Sequence, residues 1–338
     1  MRARDLGLGC GTLPPGPRNA ITDVPGLRVG HRTLVHGDDI RTGVTAIIPH
    51  TGRMFREKLP AGVAVINGFG KSVGLVQVEE LGEIETPILL TNTFGVAACT
   101  EALIRHAVAE EPRIGRRTST VNALVMECND GHLNDIQALA VTPEDAVAAI
   151  AAAGEDFASG AVGAGTGMSS FGLKGGVGTA SRRVALDGQD FHLGALVLAN
   201  FGRAGDLRLP DGRRIDPREP VETEKGSVIV VLATDVPLDA RQLRRVATRG
   251  GAGIAWTGSF WGHGSGDIML AFSTADRIPH APDAAILPRR ALAEGKIDAL
   301  FHAAAEATQE AVLDALAAAE PVTGFRGHSR RALREFLA

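Results

Sequence analysis

Residues 223–235 read TEKGSVIVVLATD, and five of them, Val228-Ile229-Val230-Val231-Leu232, form an unbroken run of branched aliphatic side chains. A short apolar run entered through Gly226-Ser227 predicts a turn leading into a buried strand. On either side lie runs of the same kind. Strands are predicted at 27–31, 43–49, 62–66, 86–91, 193–200 and 267–273. Helices alternate with them. Val96, Cys99, Leu103 and Ala107 follow the three-to-four spacing of one helix face over 96–108. Thr142-Pro143-Glu144-Asp145 carries a cap, a proline suited to the first helical position and an acid able to reach back. Further helices are predicted at 237–247 and, in alanine-rich sequence interrupted near Gly295, at 291–319. Residues 1–26 read as an extended arm, 160–183 as a glycine-dense loop and 204–225 as a polar, exposed connection between two buried strands. The interleaving predicts an α/β (α+β) fold with helices covering a large sheet or a pair of sheets.

The 338 residues suffice for one large domain or two ordinary ones, and an apolar fraction of 44% supports a sizeable core. Aromatic residues make up only 4%, with no tyrosine, so Ala, Val, Leu and Ile must fill that core. A net charge of −4 leaves no electrostatic footprint for nucleic acid. The arginines of 113–117 and Arg330-Arg331 read as solvated surface. Cys10, Cys99 and Cys128 are odd in number and scattered, which points to a reducing, cytoplasmic setting. Neither a signal peptide nor an apolar run of membrane-spanning length is found, so no membrane partner is expected.

Several familiar signatures fail. Gly163 and Gly165 are followed at the sixth position by Met168, so the dinucleotide fingerprint is broken. Gly70-Lys71-Ser72 has Val65 where a phosphate loop needs glycine. No His-Glu-x-x-His occurs; His31 and His36 lack a third ligand, so neither a metal nor another cofactor is expected. No serine is expected in a Gly-x-Ser-x-Gly elbow, since Ser265 has His263 and Asp267 at the glycine positions, and no conventional Ser-His-Asp triad is expected.

The blocks RNAITDVPGLRVGH, TGVTAIIP, NGFGKSVGL, ECNDGHLNDI, GAVGAGTGM, GLKGGVGTASR, LVLANFG, KGSVIVVLATDVPL and AWTGSFWGHGSGDIMLAFSTA occur in that order from Arg18 to Ala275. In this order they resemble the DmpA-like and BapA-like aminopeptidases. These are self-processing serine enzymes that include L-aminopeptidase/D-esterases and β-peptidyl aminopeptidases. The resemblance implies a four-layer α/β/β/α sandwich like that of the amino-terminal-nucleophile hydrolases, with different connectivity. It implies one domain over 1–338 that cuts itself at Gly226–Ser227 into chains 1–226 and 227–338, assembled as a homotetramer of the processed pairs. Small peptides, amides or esters would be the substrates.

The family pattern carries over residue by residue. Ser227 matches the nucleophile, Asn200 at the end of LVLAN the oxyanion donor, and Ser265 and Asp267 in GSGD the pair that contacts the new amino terminus. Relatives also carry glutamate at the last of these positions, and Asp267 has the shorter arm. Glu127 in ECNDG matches an acid that receives the substrate's ammonium, and His132 stands where an aromatic residue is usual. With no tyrosine in the chain, a tyrosine-dependent role does not transfer. Taken singly, Gly226-Ser227 is a turn, Asn200 a strand-end residue, Ser265-Gly266-Asp267 a loop and Glu127 a surface acid. Only their joint occurrence argues otherwise. A related class hydrolyses ω-amino-acid (nylon) oligomers and, like ornithine acetyltransferase, uses threonine as nucleophile. An uncleaved, non-catalytic binding protein is the remaining alternative.

Overall fold

The computed structural model describes residues 1–218 and 226–337. Its first sheet runs in the order β1 (Arg28–His36), β2 (Ile40–Ile48), β4 (Ile88–Asn92), β5 (Leu124–Cys128). The last pair is parallel and the others antiparallel. The second sheet runs β3 (Glu57–Gly68), β9 (Gly266–Ser273), β8 (Ser227–Thr234), β7 (Gln189–Asn200), β6 (Gly176–Leu186). Only β8 and β9 are parallel there. The two-residue strands Glu83–Ile84 and Ile278–Pro279 extend its β3 edge.

The opening run explains the layering. Along β8, Ile229 and Val231 point into a core shared with Ile47, Leu90 and Met126 of the first sheet. Val228, Val230 and Leu232 point the other way, into a core shared with the second sheet's helices. Strand side chains alternate, so a strand with apolar neighbours on both faces must be continuously apolar. The short α1 (Leu75–Leu81) follows β3, and helices α2 (Val96–Glu110) and α3 (Pro143–Ala151) close the outer face of the first sheet. Helices α4 (Ala240–Trp256) and α5 (Asp298–Ala318) close that of the second. The result is the expected four layers, α/β/β/α. The predicted cap at Thr142 is present: Asp145 N donates to Thr142 Oγ1 at 3.3 Å and Thr142 N to Asp145 Oδ2 at 3.1 Å.

Other expectations are corrected. The α4 helix runs on to Trp256, through Gly250, Gly251 and Gly253. Those glycines look like breakers in sequence, yet a Cβ on Gly253 would collide with the carbonyl of Ala305 on α5. Gly253 thus lets two helices approach closely. The glycine-dense loop contains β6 from Gly176 onward, and Gly178 is likewise required by the backbone of α5 at Ala311. The α5 helix begins only at Asp298, after a 3₁₀ turn at Glu294–Lys296. The connection expected to be exposed is largely so where it is described, but Leu207, Leu209 and Ile215 anchor it, buried against the helix-side core. Residues 219–225 lie outside the described residues.

The amino-terminal arm is stitched to α5. Glu306, Glu310 and Asp314, spaced by four and so on one helix face, point at it. Arg182, fully buried on β6, donates to Glu306 at 3.0 Å and Glu310 at 2.9 Å. Arg4 donates to Glu310 at 2.6 Å and Arg2 to Asp314 at 2.5 Å.

Candidate active site

Ser227 is the first residue of β8 and is 4% exposed. In register it faces Asn200, the last residue of antiparallel β7, and Gly266, the first of parallel β9. Three strand ends thus converge, because the two antiparallel and parallel neighbours begin or end at the same level. Ser227 Oγ donates to the carbonyl oxygen of Gly226 at 2.7 Å, and that oxygen also accepts from Gly266 N at 3.2 Å. The hydroxyl therefore lies against the peptide that joins residues 226 and 227. A Cβ on Gly226 would run into the carbonyl of Asn200 and lie 2.7 Å from Phe201 Cα, so packing requires glycine before the serine.

The Asn200 side chain is held at both ends. Its Oδ1 accepts from Ser169 N at 2.9 Å, and its Nδ2 donates to the Asn129 carbonyl at 2.8 Å. A backbone N–H can only donate and a carbonyl only accept, so these partners fix which end of the amide is which. One N–H of Nδ2 is used on Asn129; the other is the group that can meet a developing charge.

Ser265 and Asp267 flank Gly266 and are fully buried. Ser265 Oγ donates to Asp267 Oδ1 at 2.7 Å, so the shorter acid reaches its neighbour. A bulge between Asp267 and Ile268 against β3 re-aims this strand end. From β3, Asn67 Nδ2 donates to the carbonyls of Gly262 at 2.9 Å and of Ser265, pinning the loop that carries the serine.

Glu127 comes from β5 of the other sheet and is 2% exposed. Its Oε1 accepts from Lys71 N at 2.8 Å and its Oε2 from Thr93 Oγ1. A Cβ on Gly70 would sit 3.7 Å from Glu127 Oε1 and 3.8 Å from Gly266 Cα. One glycine's width therefore separates this carboxylate from the strand beside Ser227. The structure thus gathers Ser227, Asn200, Ser265 and Asp267 on one sheet and brings Glu127 up from the other. The His132 ring packs on the carboxy-terminal segment, stacked on His328 with centroids 4.6 Å apart.

Sequence reasoning missed Asn67, Asn129, Ser169, Lys71 and Thr93. Asn129, Ser169 and Lys71 act through backbone groups, which leave no residue-type signal, while Asn67 and Thr93 act through side chains whose targets lie far away in sequence. Gly70-Lys71-Ser72-Val73-Gly74 does spell the elbow pattern, against the expectation that no serine would be so placed. The Ser72 hydroxyl is buried without a hydrogen-bond partner among the described residues, so no base activates it. Among the described residues no group of three or more His, Cys, Asp or Glu could hold a metal ion. None of the helices described is long and apolar enough to cross a membrane.

Comparison with known proteins covers nearly all of the chain. The model of peptidase family S58 matches residues 19–330. The β-peptidyl aminopeptidase BapA of Sphingosinicella microcystinivorans is 38% identical, over 97% of this chain and 88% of its own. Among solved structures, the PH0078 protein from Pyrococcus horikoshii OT3 superposes with a TM-score of 0.95 at 46% identity, covering 100% of this chain and 98% of that one. The L-aminopeptidase D-Ala-esterase/amidase of Ochrobactrum anthropi superposes with a TM-score of 0.89 at 38% identity, covering 98% of this chain and 95% of that one. It is described as a prototype of the serine aminopeptidases and a new variant of the Ntn hydrolase fold.

Proposed function

We propose that this chain, which belongs to peptidase family S58, is a serine aminopeptidase that cuts itself between Gly226 and Ser227 and then works from the new amino terminus. The observation that carries the reading is the placement of Ser227. Its hydroxyl bonds the Gly226 carbonyl, with the Asn200 amide and the Ser265–Asp267 pair at the adjoining strand ends. In the first step Oγ attacks the Gly226 carbonyl carbon and its proton passes to the Ser227 nitrogen. The C–N bond breaks, leaving an ester and a free α-amine. Water hydrolyses that ester to a Gly226 carboxylate and restores the Ser227 hydroxyl. Gly266 N–H, already bonded to the Gly226 oxygen, stabilises the charge that develops there.

Afterwards one residue holds nucleophile and base. An α-amine has a pKa of about 7.7–8.0, suited to take the Oγ proton near neutrality. Ser265 gives its own proton to Asp267 and so offers lone pairs to that amine. Oγ attacks the substrate carbonyl, the free N–H of Asn200 receives the oxyanion, and the protonated amine passes its proton to the leaving nitrogen. Water then releases the acyl group by the same route reversed. Glu127 has lone pairs to spare: a carboxylate offers about four, and Lys71 N and Thr93 Oγ1 occupy one each. The remainder receive the substrate's ammonium.

The substrates we assign are small peptides, amides and esters with an unblocked amino terminus, including β-amino-acid peptides. A threonine nucleophile would favour ω-amino-acid oligomers instead, and Ser227 speaks against it. Several features support the rest of the reading. Arg2, Arg4 and Arg182 lie on one expected product and Glu306, Glu310 and Asp314 on the other, which would keep cut chains together. An open apolar groove of about 960 Å³, lined by Val73, Phe94, Ile104 and Leu139 among others, suits contacts between copies in a homotetramer. Three free, buried cysteines suit a cytoplasmic setting.

A panel of L-, D- and β-aminoacyl p-nitroanilides, each with its N-acetylated counterpart, tests the activity. Release of nitroaniline from at least one free-amine series and from no acetylated member is expected. Silence across all the unblocked compounds would overturn the assignment. Glu127→Gln keeps the shape but removes the charge. Charged hydrogen bonds contribute about 1.5–3 kcal/mol, so KM should rise by about 10-fold or more with kcat little changed. An unchanged KM would remove Glu127 from the ammonium site.

A further inference from the structure

We infer that Lys174 is a positioning residue for the Asn200 amide, acting through the single peptide unit between Met168 and Ser169. The inference rests on Asn200 being the oxyanion donor, as read above.

Lys174 is fully buried, and all three protons of its ammonium are committed. Nζ donates to the carbonyls of Met168 at 2.6 Å, Gly175 at 2.8 Å and Gly165 at 2.9 Å. Burying a cation is costly unless its donors are satisfied, and here three carbonyls satisfy them with the Asp130 charge nearby. The Met168 carbonyl is one end of a peptide whose other end is Ser169 N–H, and that N–H donates to Asn200 Oδ1. The order is therefore ammonium to carbonyl, N–H to amide oxygen, and amide N–H toward the oxyanion. A positive charge at the head of such a chain polarises each member, strengthening each bond by about 10–30% in condensed-phase estimates. It also fixes the plane of the peptide that aims the asparagine.

A second buried group has the matching sense. Asn200 Nδ2 donates to the Asn129 carbonyl, and the other end of that peptide is Asp130 N–H. The Asp130 carboxyl is fully buried. It is hydrogen-bonded by Asn134 Nδ2 at 3.0 Å. A negative charge beside the N–H end of that peptide makes the Asn129 carbonyl a better acceptor. Burial pushes Lys174 down to about 7, opposed by the nearby Asp130 charge, and pushes Asp130 up to about 6, opposed by its hydrogen bonds.

A lysine that merely stapled the glycine-rich turn would affect folding or substrate binding regardless of Asn200. One that acts through Asn200 has nothing to act on once the amide is gone. The test is a double-mutant cycle on processed protein, with kcat counted per cut molecule on one unblocked aminoacyl p-nitroanilide. Asn200→Ala should lower kcat by about 10²–10³-fold. Lys174→Met should lower kcat by about 10-fold or more with KM within about 2-fold, and should cost less than about 2-fold in the Asn200→Ala background. If Asn200→Ala leaves kcat intact, the oxyanion assignment itself is wrong. If Asn200→Ala is impaired but Lys174→Met is not, or loses as much in both backgrounds, the relay alone is overturned. Should Lys174→Met fail to fold, Lys174→Gln decides the same question. It removes the positive charge while keeping N–H donors for the turn's carbonyls, and its kcat loss must likewise vanish in the Asn200→Ala background.

Discussion

Ser227→Ala is expected to leave a single uncut chain of 338 residues on a denaturing gel, where the parent gives two bands for residues 1–226 and 227–338. Aminopeptidase turnover should fall on the order of 10⁶-fold, the scale seen when a catalytic serine is deleted. Both effects follow from one atom. Oγ is the group that lies against the Gly226 carbonyl, and without it no ester can form and no amine is freed. Alanine fits the strand end without loss of packing, so the uncut protein should melt close to the parent, a control on misfolding. The backbone around the bond is already set for cleavage. Gly226 has no room for a side chain, and its carbonyl is bonded by Gly266 N–H. An uncut parent would sink the self-processing mechanism. A variant that is still cut would move the attack to another residue.

The sheet core and the proposed nucleophile are both legible in the same stretch of sequence, for different reasons. Val228–Leu232 announces burial on both faces because strand side chains alternate and both neighbouring layers are apolar. Gly226, Ser227, Asn200, Ser265 and Asp267 announced themselves only jointly, through the order of motifs along the chain. Glycine misled where it served packing between elements. At Gly253 and Gly178 it looks like a break, but there it admits the backbone of α5. Leu207, Leu209 and Ile215 stand in a polar, charged segment that masks them, yet all three join the helix-side core. The clamps on Asn200 were invisible for a deeper reason. Ser169 N–H and the Asn129 carbonyl belong to the main chain; any residue but proline would supply the first, and any residue the second.

Arg182→Met should destabilise the fold by about 3–5 kcal/mol, because it takes the fully buried counter-charge from two buried carboxylates. Methionine roughly fills the space of the aliphatic stem, so the loss reports the guanidinium. Glu306 and Glu310 would keep Thr12 N–H and Arg4 respectively, but lose their fully buried counter-charge. The sign of the pH dependence follows. In the parent, burial pushes both carboxyls up, but their hydrogen bonds and the Arg182 charge outweigh it and hold them below the usual range. Groups with depressed folded values contribute stability above the unfolded pKa of about 4.3, and that contribution is lost as pH falls through the lower folded values. Without Arg182, burial pulls these acids upward, so acid should relieve part of the damage. The gap between parent and variant should therefore be widest near pH 7 and shrink toward pH 4. Urea melts in the uncut Ser227→Ala background, where a single chain can refold, measure that gap at both pH values. In the cut protein the same substitution breaks a contact between chains, so native mass spectrometry at neutral pH should show free 227–338 fragment appearing at lower urea than in the parent. A gap that did not vary with pH would mean that the cluster stabilises through packing alone.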